Sequence, residues 1–201
     1  MPDSSWVRPF PPGKHLHFSP LRRVQQATDS DGNSYDILVQ TEEMSCGVAA
    51  SAILIDLYNK TCSAGPDAEA RLKNIAARFP GSLVESDKLW AKGKDYGSTA
   101  DNIENLLDSQ GVPVTLKDAR WLKKTGSPVI IEVSRLRSPA AILWGWYSNG
   151  KRHGGHFTVG ARMSSGGNVV ILDPWDGSLS ELPPPHPYNG NGYADCVLYT
   201  N

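Results

Sequence analysis

The stretch Ser45-Cys46-Gly47-Val48-Ala49-Ala50-Ser51-Ala52-Ile53-Leu54-Ile55-Asp56-Leu57-Tyr58 decides how the chain is read. Val48, Ala49, Ala52, Ile53, Ile55, Leu57 and Tyr58 are apolar at mostly helical spacing, so the segment is expected to be a helix. Gly47, Ala49, Ala50 and Ser51 dominate its first two turns, and side chains that small imply close packing against a neighbour. Cys46 opens the helix. Backbone N–H groups and the helix dipole favour an anion there, which would stabilise a thiolate at neutral pH. A lone cysteine also reads as a small buried hydrophobe, so the choice rests on the rest of the chain.

Working outward, Tyr35-Asp36-Ile37-Leu38-Val39 reads as a short strand running from the Asp31-Gly32-Asn33 turn into Gln40. Asp67 to Phe79 is an amphipathic helix with Asp67 as cap and Pro80-Gly81 as stop. Ser98 to Ser109 is a third, capped by Ser98 or Thr99 and terminated at Gly111. The period then changes. Val112–Leu116, Pro128–Val133, Ile142–Tyr147, Phe157–Arg162, Asn168–Leu172 and Cys196–Tyr199 are short, β-branched or aromatic, and separated by Gly, Pro, Ser and Asn. Helices first and strands second predict an α+β domain with an antiparallel sheet. Residues 1–30, proline-bearing and without periodicity, read as an extended arm over the domain of residues 31–201. Pro183-Pro184-Pro185 reads as a stiff connector.

Composition narrows the function classes. The 201 residues fit one domain with a core large enough to need no disulfide or metal. Twenty Lys and Arg against 21 Asp and Glu give a net charge of −1, with no basic footprint for nucleic acid. No apolar run approaches the roughly 18 residues that span a bilayer, so no membrane insertion is expected. The N-terminus lacks a secretory signal. Cys46, Cys62 and Cys196 are too few and odd for a disulfide framework, and Cys62 and Cys196 are expected to be unpaired. A cytoplasmic address, or export without a cleavable signal, follows.

Three features complete a site around Cys46. Gln40 lies between a strand and the helix, where its amide and the Cys46 N–H would form an oxyanion hole. His156 follows Gly154-Gly155 and is expected to begin a strand, a rigid perch for a general base. Asp173 ends the next strand in Ile171-Leu172-Asp173-Pro174-Trp175-Asp176-Gly177. A hairpin turning at Ser165-Gly166-Gly167 would bring Asp173 beside the start of the His156 strand. Order, spacing and element type match a thiol–imidazole–carboxylate relay.

These residues resemble the papain-like cysteine peptidases, nearest to the bacterial branch of double-glycine leader peptidases and related effector proteases. The resemblance rests on Gln40 and Cys46-Gly47, on Gly154-Gly155-His156-Phe157-Thr158-Val159, on Val170 to Gly177, and on Gly97 to Gly111 before a strand. It covers residues 35–200. It implies Cys46 as nucleophile, His156 as base and then acid, Asp173 as orienter and Gln40 as oxyanion donor. It also implies a two-lobed fold with its nucleophile helix packed on the sheet, a protein or peptide substrate, and no cofactor. Glu42 and Glu43 depart from it, because carboxylates near Cys46 would disfavour a thiolate. No transporter domain follows, so leader processing is not implied.

The expected activity is that of a thiol hydrolase cutting an amide bond, with a bacterial effector or toxin as setting and an inhibitor or immunity protein as further partner. A glutamine deamidase, a transglutaminase or an acyltransferase would use the same relay, and a binding module would use the fold without chemistry. The arm is readable as an inhibitory segment or as an interaction element. Other signals are discounted. His153 with His156 and His15 with His17 lack the ligands of a zinc site, so no metal is expected. Gly166-Gly167 is a hairpin turn and not a phosphate cradle. Trp144 and Trp146 share one strand face as core or as a groove wall. Lys151-Arg152 and Lys123-Lys124 read as solvated turn charges.

Overall fold

The computed structural model describes residues 24–41, 45–61, 67–79, 98–118, 136, 138–148, 151–183, 187–190 and 192–201. Several expectations fall outside them: the arm to residue 23 with His15 and His17, Glu42, Glu43, Cys62, Pro80-Gly81, Gly97, Lys123-Lys124, the strand over 128–133, and Pro184-Pro185. The side chains of Lys151, Arg152 and His153 do so as well.

The architecture is α+β, as the change of period indicates. Strands β1 (Val24–Thr28) and β2 (Ser34–Leu38) form an antiparallel pair. Helices α1 (Cys46–Asn59), α2 (Ala68–Ala76) and α3 (Ala100–Ser109) follow. Then come β3 (Val114–Asp118), β4 (Ala140–Ser148), β5 (Lys151–Met163), β6 (Val169–Asp173), β7 (Ser178–Leu182) and β8 (Gly192–Thr200). They make one six-stranded sheet in the order β3-β8-β4-β5-β6-β7, with every pairing antiparallel.

Helix α1 is buried along its first nine residues, Cys46 to Leu54, which accounts for its small side chains. Gly47 marks the tightest approach. A Cβ there would lie 2.9 Å from Ile103 of α3, 3.1 Å from Ser98 and 3.2 Å from Phe157 of β5. The residue after Cys46 is thus clamped between another helix and the sheet. Helix α3 starts where Thr99 accepts a hydrogen bond from the Asn102 N–H (3.1 Å), and it stops at Gly111 with φ +75°. Asp67 precedes α2 but makes no side-chain cap bond, its φ/ψ being already helical.

The sheet separates two apolar clusters. One joins α1, α2 and α3 to Phe157, Val159, Val170 and Leu172. The other holds Ile142, Trp144, Trp146, Ile171, Tyr188 and Val197, so both tryptophans belong to the core. Cys46 and Cys196 are buried thiols. No described helix is long and apolar enough to cross a membrane.

Strand boundaries differ from the sequence reading: β3 and β4 are shifted or extended by about two residues and β8 begins at Gly192 rather than Cys196, and β5, β7 and β1 differ further. Strand β5 begins at Lys151, so Lys151-Arg152 stands in a strand and not a turn, and His156 lies within the strand rather than at its start. Gly154 and Gly155 read locally as a loop, yet they pair with Trp146 and Gly145, whose backbone supplies what glycine propensity does not. Strand β7 has two serines and a glutamate and owes its existence to pairing with β6. Strand β1 lies in the segment read as arm and is held by β2.

The turn between β1 and β2 is latched to the sheet. Asp29, buried, accepts from the N–H groups of Asp31 (3.0 Å) and Asn33 (2.8 Å), from the Tyr35 hydroxyl (2.9 Å) and from Arg162 Nε (3.1 Å). Asp31 accepts from Arg162 and from the hydroxyl and N–H of Ser165.

Candidate active site

Asp173 is the last residue of β6, and the turn Pro174 to Gly177 leads into β7 with Gly177 at φ +70°. The hairpin brings its carboxylate to His156. His156 Nε2 lies 2.7 Å from Asp173 Oδ1, and both side chains are almost wholly buried. With Nε2 turned to Asp173, Nδ1 is the nitrogen left for Cys46, whose sulfur is among the groups that favour the charged imidazole. Three of the four sequence-derived residues therefore meet.

Gln40, the fourth, reaches the same place through its backbone. Its N–H donates to the Pro174 carbonyl at 2.7 Å, so the stretch after β2 is fastened to the residue following Asp173. Gln40 itself is buried. One residue on, the Thr41 N–H donates to both carboxylate oxygens of Glu69 at 3.1 and 3.0 Å. Glu69 is a buried carboxylate on α2, so the Gln40 stretch is gripped by the helical layer on one side and the sheet on the other.

The electrostatics favour charge at the pair. Burial alone would lower the pKa of His156, but the Asp173 charge and hydrogen bond, with the Cys46 thiol, push it up to about 10. Burial alone would raise that of Asp173. The His156 charge and hydrogen bond, the Tyr188 hydroxyl and the Trp175 N–H outweigh it and hold the carboxyl below its ordinary range. The imidazole is thus kept as imidazolium at neutral pH, next to a thiol at a helix N-terminus.

Three contributors escaped the sequence reading. Trp175 donates its N–H to Asp173 Oδ1 at 2.8 Å and sets its ring edge-on to His156, with centroids 6.5 Å apart. It lies within the quoted Asp173 motif, and its position two residues on is the signal. Tyr188 donates its hydroxyl to Asp173 Oδ2 from beyond the proline connector, where only the Asn189-Gly190 turn announces structure. Glu69 sits on an amphipathic helix, and nothing local marks it. Among the described residues no His, Cys, Asp and Glu group is arranged to hold a metal ion.

A search of curated protein sequences gave no match. Among solved structures, the chain is similar to a double glycine motif protease from an AMS/PCAT transporter, determined in complex with the leader peptide. The TM-score is 0.47 and the identity 15%, covering 88% of this chain and 91% of that one. The Peptidase C39 like family model matches residues 32–183, a span that includes Gln40, Cys46, His156 and Asp173. That span is well over half the chain, and it carries the relationship to papain-like cysteine peptidases drawn from the motifs. The chain belongs to the peptidase C39-like family.

Proposed function

We propose that the protein is a thiol hydrolase that cuts a peptide amide bond through Cys46, His156 and Asp173. The observation that carries this reading is the buried His156–Asp173 pair, 2.7 Å apart, against a thiol at the start of α1. The Cys46 thiolate attacks the carbonyl carbon, and the oxyanion that forms is met by the Cys46 N–H and the Gln40 side chain. The His156 imidazolium gives its proton to the leaving nitrogen as the C–N bond breaks, leaving a thioester on Cys46. Neutral His156 then takes a proton from water, whose oxygen attacks the thioester. The acid departs and the thiolate–imidazolium pair is restored. Asp173 keeps its proton count throughout and holds the ring.

The test is incubation with a denatured protein mixture, followed by mass spectrometry, with Cys46→Ala alongside. New termini that vanish in Cys46→Ala are the expected result. A gain of about one dalton at glutamines without new termini would reassign the thioester to a deamidase, since both reactions pass through that intermediate. A biological effect that survives in Cys46→Ser would overturn the enzymatic reading.

A further inference from the structure

We propose that Tyr188 is a positioning residue of this site, fixing the rotation of the Asp173 carboxylate so that His156 presents its other nitrogen to Cys46. This rests on the relay proposed above and deepens it. Tyr188 lies beyond the segment that the family model matches, in the turn before β8.

Asp173 has two oxygens, and the structure engages each. Oδ1 takes His156 Nε2 at 2.7 Å and the Trp175 N–H at 2.8 Å, while Oδ2 takes the Tyr188 hydroxyl. Without the last bond only the two contacts at Oδ1 resist rotation about the terminal torsion, which is broad for aspartate. Turning moves Oδ1 off the line to Nε2 and swings the imidazole away from the thiol.

The tyrosine is itself immobilised. Its ring stacks on Trp144 with centroids 5.0 Å apart and on Trp146 at 6.1 Å. Trp144 is the cross-strand partner of His156, and its indole N–H donates to Thr158 at 2.8 Å, two residues further along β5. The Tyr188 backbone exchanges two hydrogen bonds with Gly192, at 2.9 and 2.8 Å. A Cβ on Gly192 would lie 2.6 Å from the Trp146 ring and 2.8 Å from the Tyr188 carbonyl, so only glycine lets the turn close. Burial first, and the Asp173 charge second, push the Tyr188 hydroxyl well above its ordinary pKa, which keeps it a donor over the working pH range.

The experiment is the pH profile of Cys46 alkylation by iodoacetamide, with nitrogen-15 NMR of the His156 imidazole, in wild type, Tyr188→Phe and His156→Ala. Phenylalanine keeps the stacked ring and removes only the donor. The expected result is a folded Tyr188→Phe whose alkylation rate at pH 6 falls by about tenfold, the worth of one charge-assisted hydrogen bond, with the Asp173-bonded Nε2 proton signal lost. Folded Tyr188→Phe with an unchanged profile and an intact signal overturns the positioning role alone. A wild-type thiol whose profile is the same in His156→Ala overturns the relay and this role with it. Should Tyr188→Phe fail to fold, 3-fluorotyrosine in place of Tyr188 keeps the stacked ring and alters only the acidity of the donor; a moved Nε2 proton signal with a moved alkylation profile carries the proposal, and both unmoved overturn it.

Discussion

Among the described residues two buried carboxylates, Asp29 and Asp173, are built to nearly the same plan, and only Asp173 belongs to the candidate site. Asp29 is surrounded by a tyrosine hydroxyl (Tyr35, 2.9 Å), backbone N–H groups and a cation (Arg162, 3.1 Å). Asp173 has a tyrosine hydroxyl (Tyr188), a backbone N–H (Trp175, 2.8 Å) and a cation (His156, 2.7 Å). Burial would raise both carboxyls, and in both the donors outweigh it and hold the pKa down. What differs is the cation. Arginine keeps its proton at every accessible pH, so the Asp29 cluster can only hold the β1–β2 turn on the sheet. Histidine can give its proton up, and its second nitrogen is left for Cys46, so in the proposed mechanism the same plan serves proton transfer.

The largest contrast comes from removing each cation. His156→Ala is expected to lower peptide cleavage by about three orders of magnitude. It also leaves Asp173 as an uncompensated buried charge, which costs about 3–5 kcal/mol. Arg162→Ala lowers the melting temperature and leaves the specific cleavage rate of the folded protein unchanged, because the partly exposed guanidinium touches nothing in the site. Rate assays and thermal melts on both variants measure this. Equal losses of rate would show that the two clusters act as one.

Alkaline pH sharpens the comparison. The folded pKa of His156 is raised from 6.5 to about 10. Its contribution to stability is therefore full below pH 6.5 and is lost as the pH rises through 10. Asp173 and Asp29 are both lowered from 3.8, so their contributions are present above pH 3.8 and are lost only in acid. The destabilisation caused by His156→Ala should shrink between pH 6.5 and 10, while that caused by Arg162→Ala stays level. Denaturant titrations at pH 6, 8 and 10 read the difference. A level His156→Ala penalty would mean that the pair does not carry the charge assigned to it.

How much of this was legible in the sequence follows from how local each signal is. Cys46 at a helix start, His156 in a glycine-led strand and Asp173 before a proline turn are each marked by neighbours within a few residues, and one hairpin brings the last two together. Arg162 and Asp29 are 133 positions apart, and no local pattern pairs them. Tyr188 reaches Asp173 only because β8 inserts between β3 and β4, a strand order that period-two patterning leaves open. Lys151 to Gly155 looked like a turn because charges and glycines are poor strand formers alone; the partner strand β4 made them one. Local chemistry could be read, and the partners chosen by topology could not.

The smallest expected effect tests whether the two clusters are separable at all. Tyr35→Phe removes from Asp29 the hydroxyl that Tyr188→Phe removes from Asp173. Tyr35 is pushed up to about 12, by burial first and by its bond to Asp29 second, so it donates at working pH as Tyr188 does. Losing one hydrogen bond to a charged group should cost about 1.5 kcal/mol, visible as a lower denaturant midpoint. The pH profile of Cys46 alkylation should not move. That second half is exposed to refutation, because Arg162 and His156 stand on the same strand and β5 is shared by both clusters. If relaxing Arg162 let β5 shift, the profile would move with Tyr35→Phe as it does with Tyr188→Phe. The division between a latch and a site would then fail, and β5 would have to be treated as one element that answers to both carboxylates.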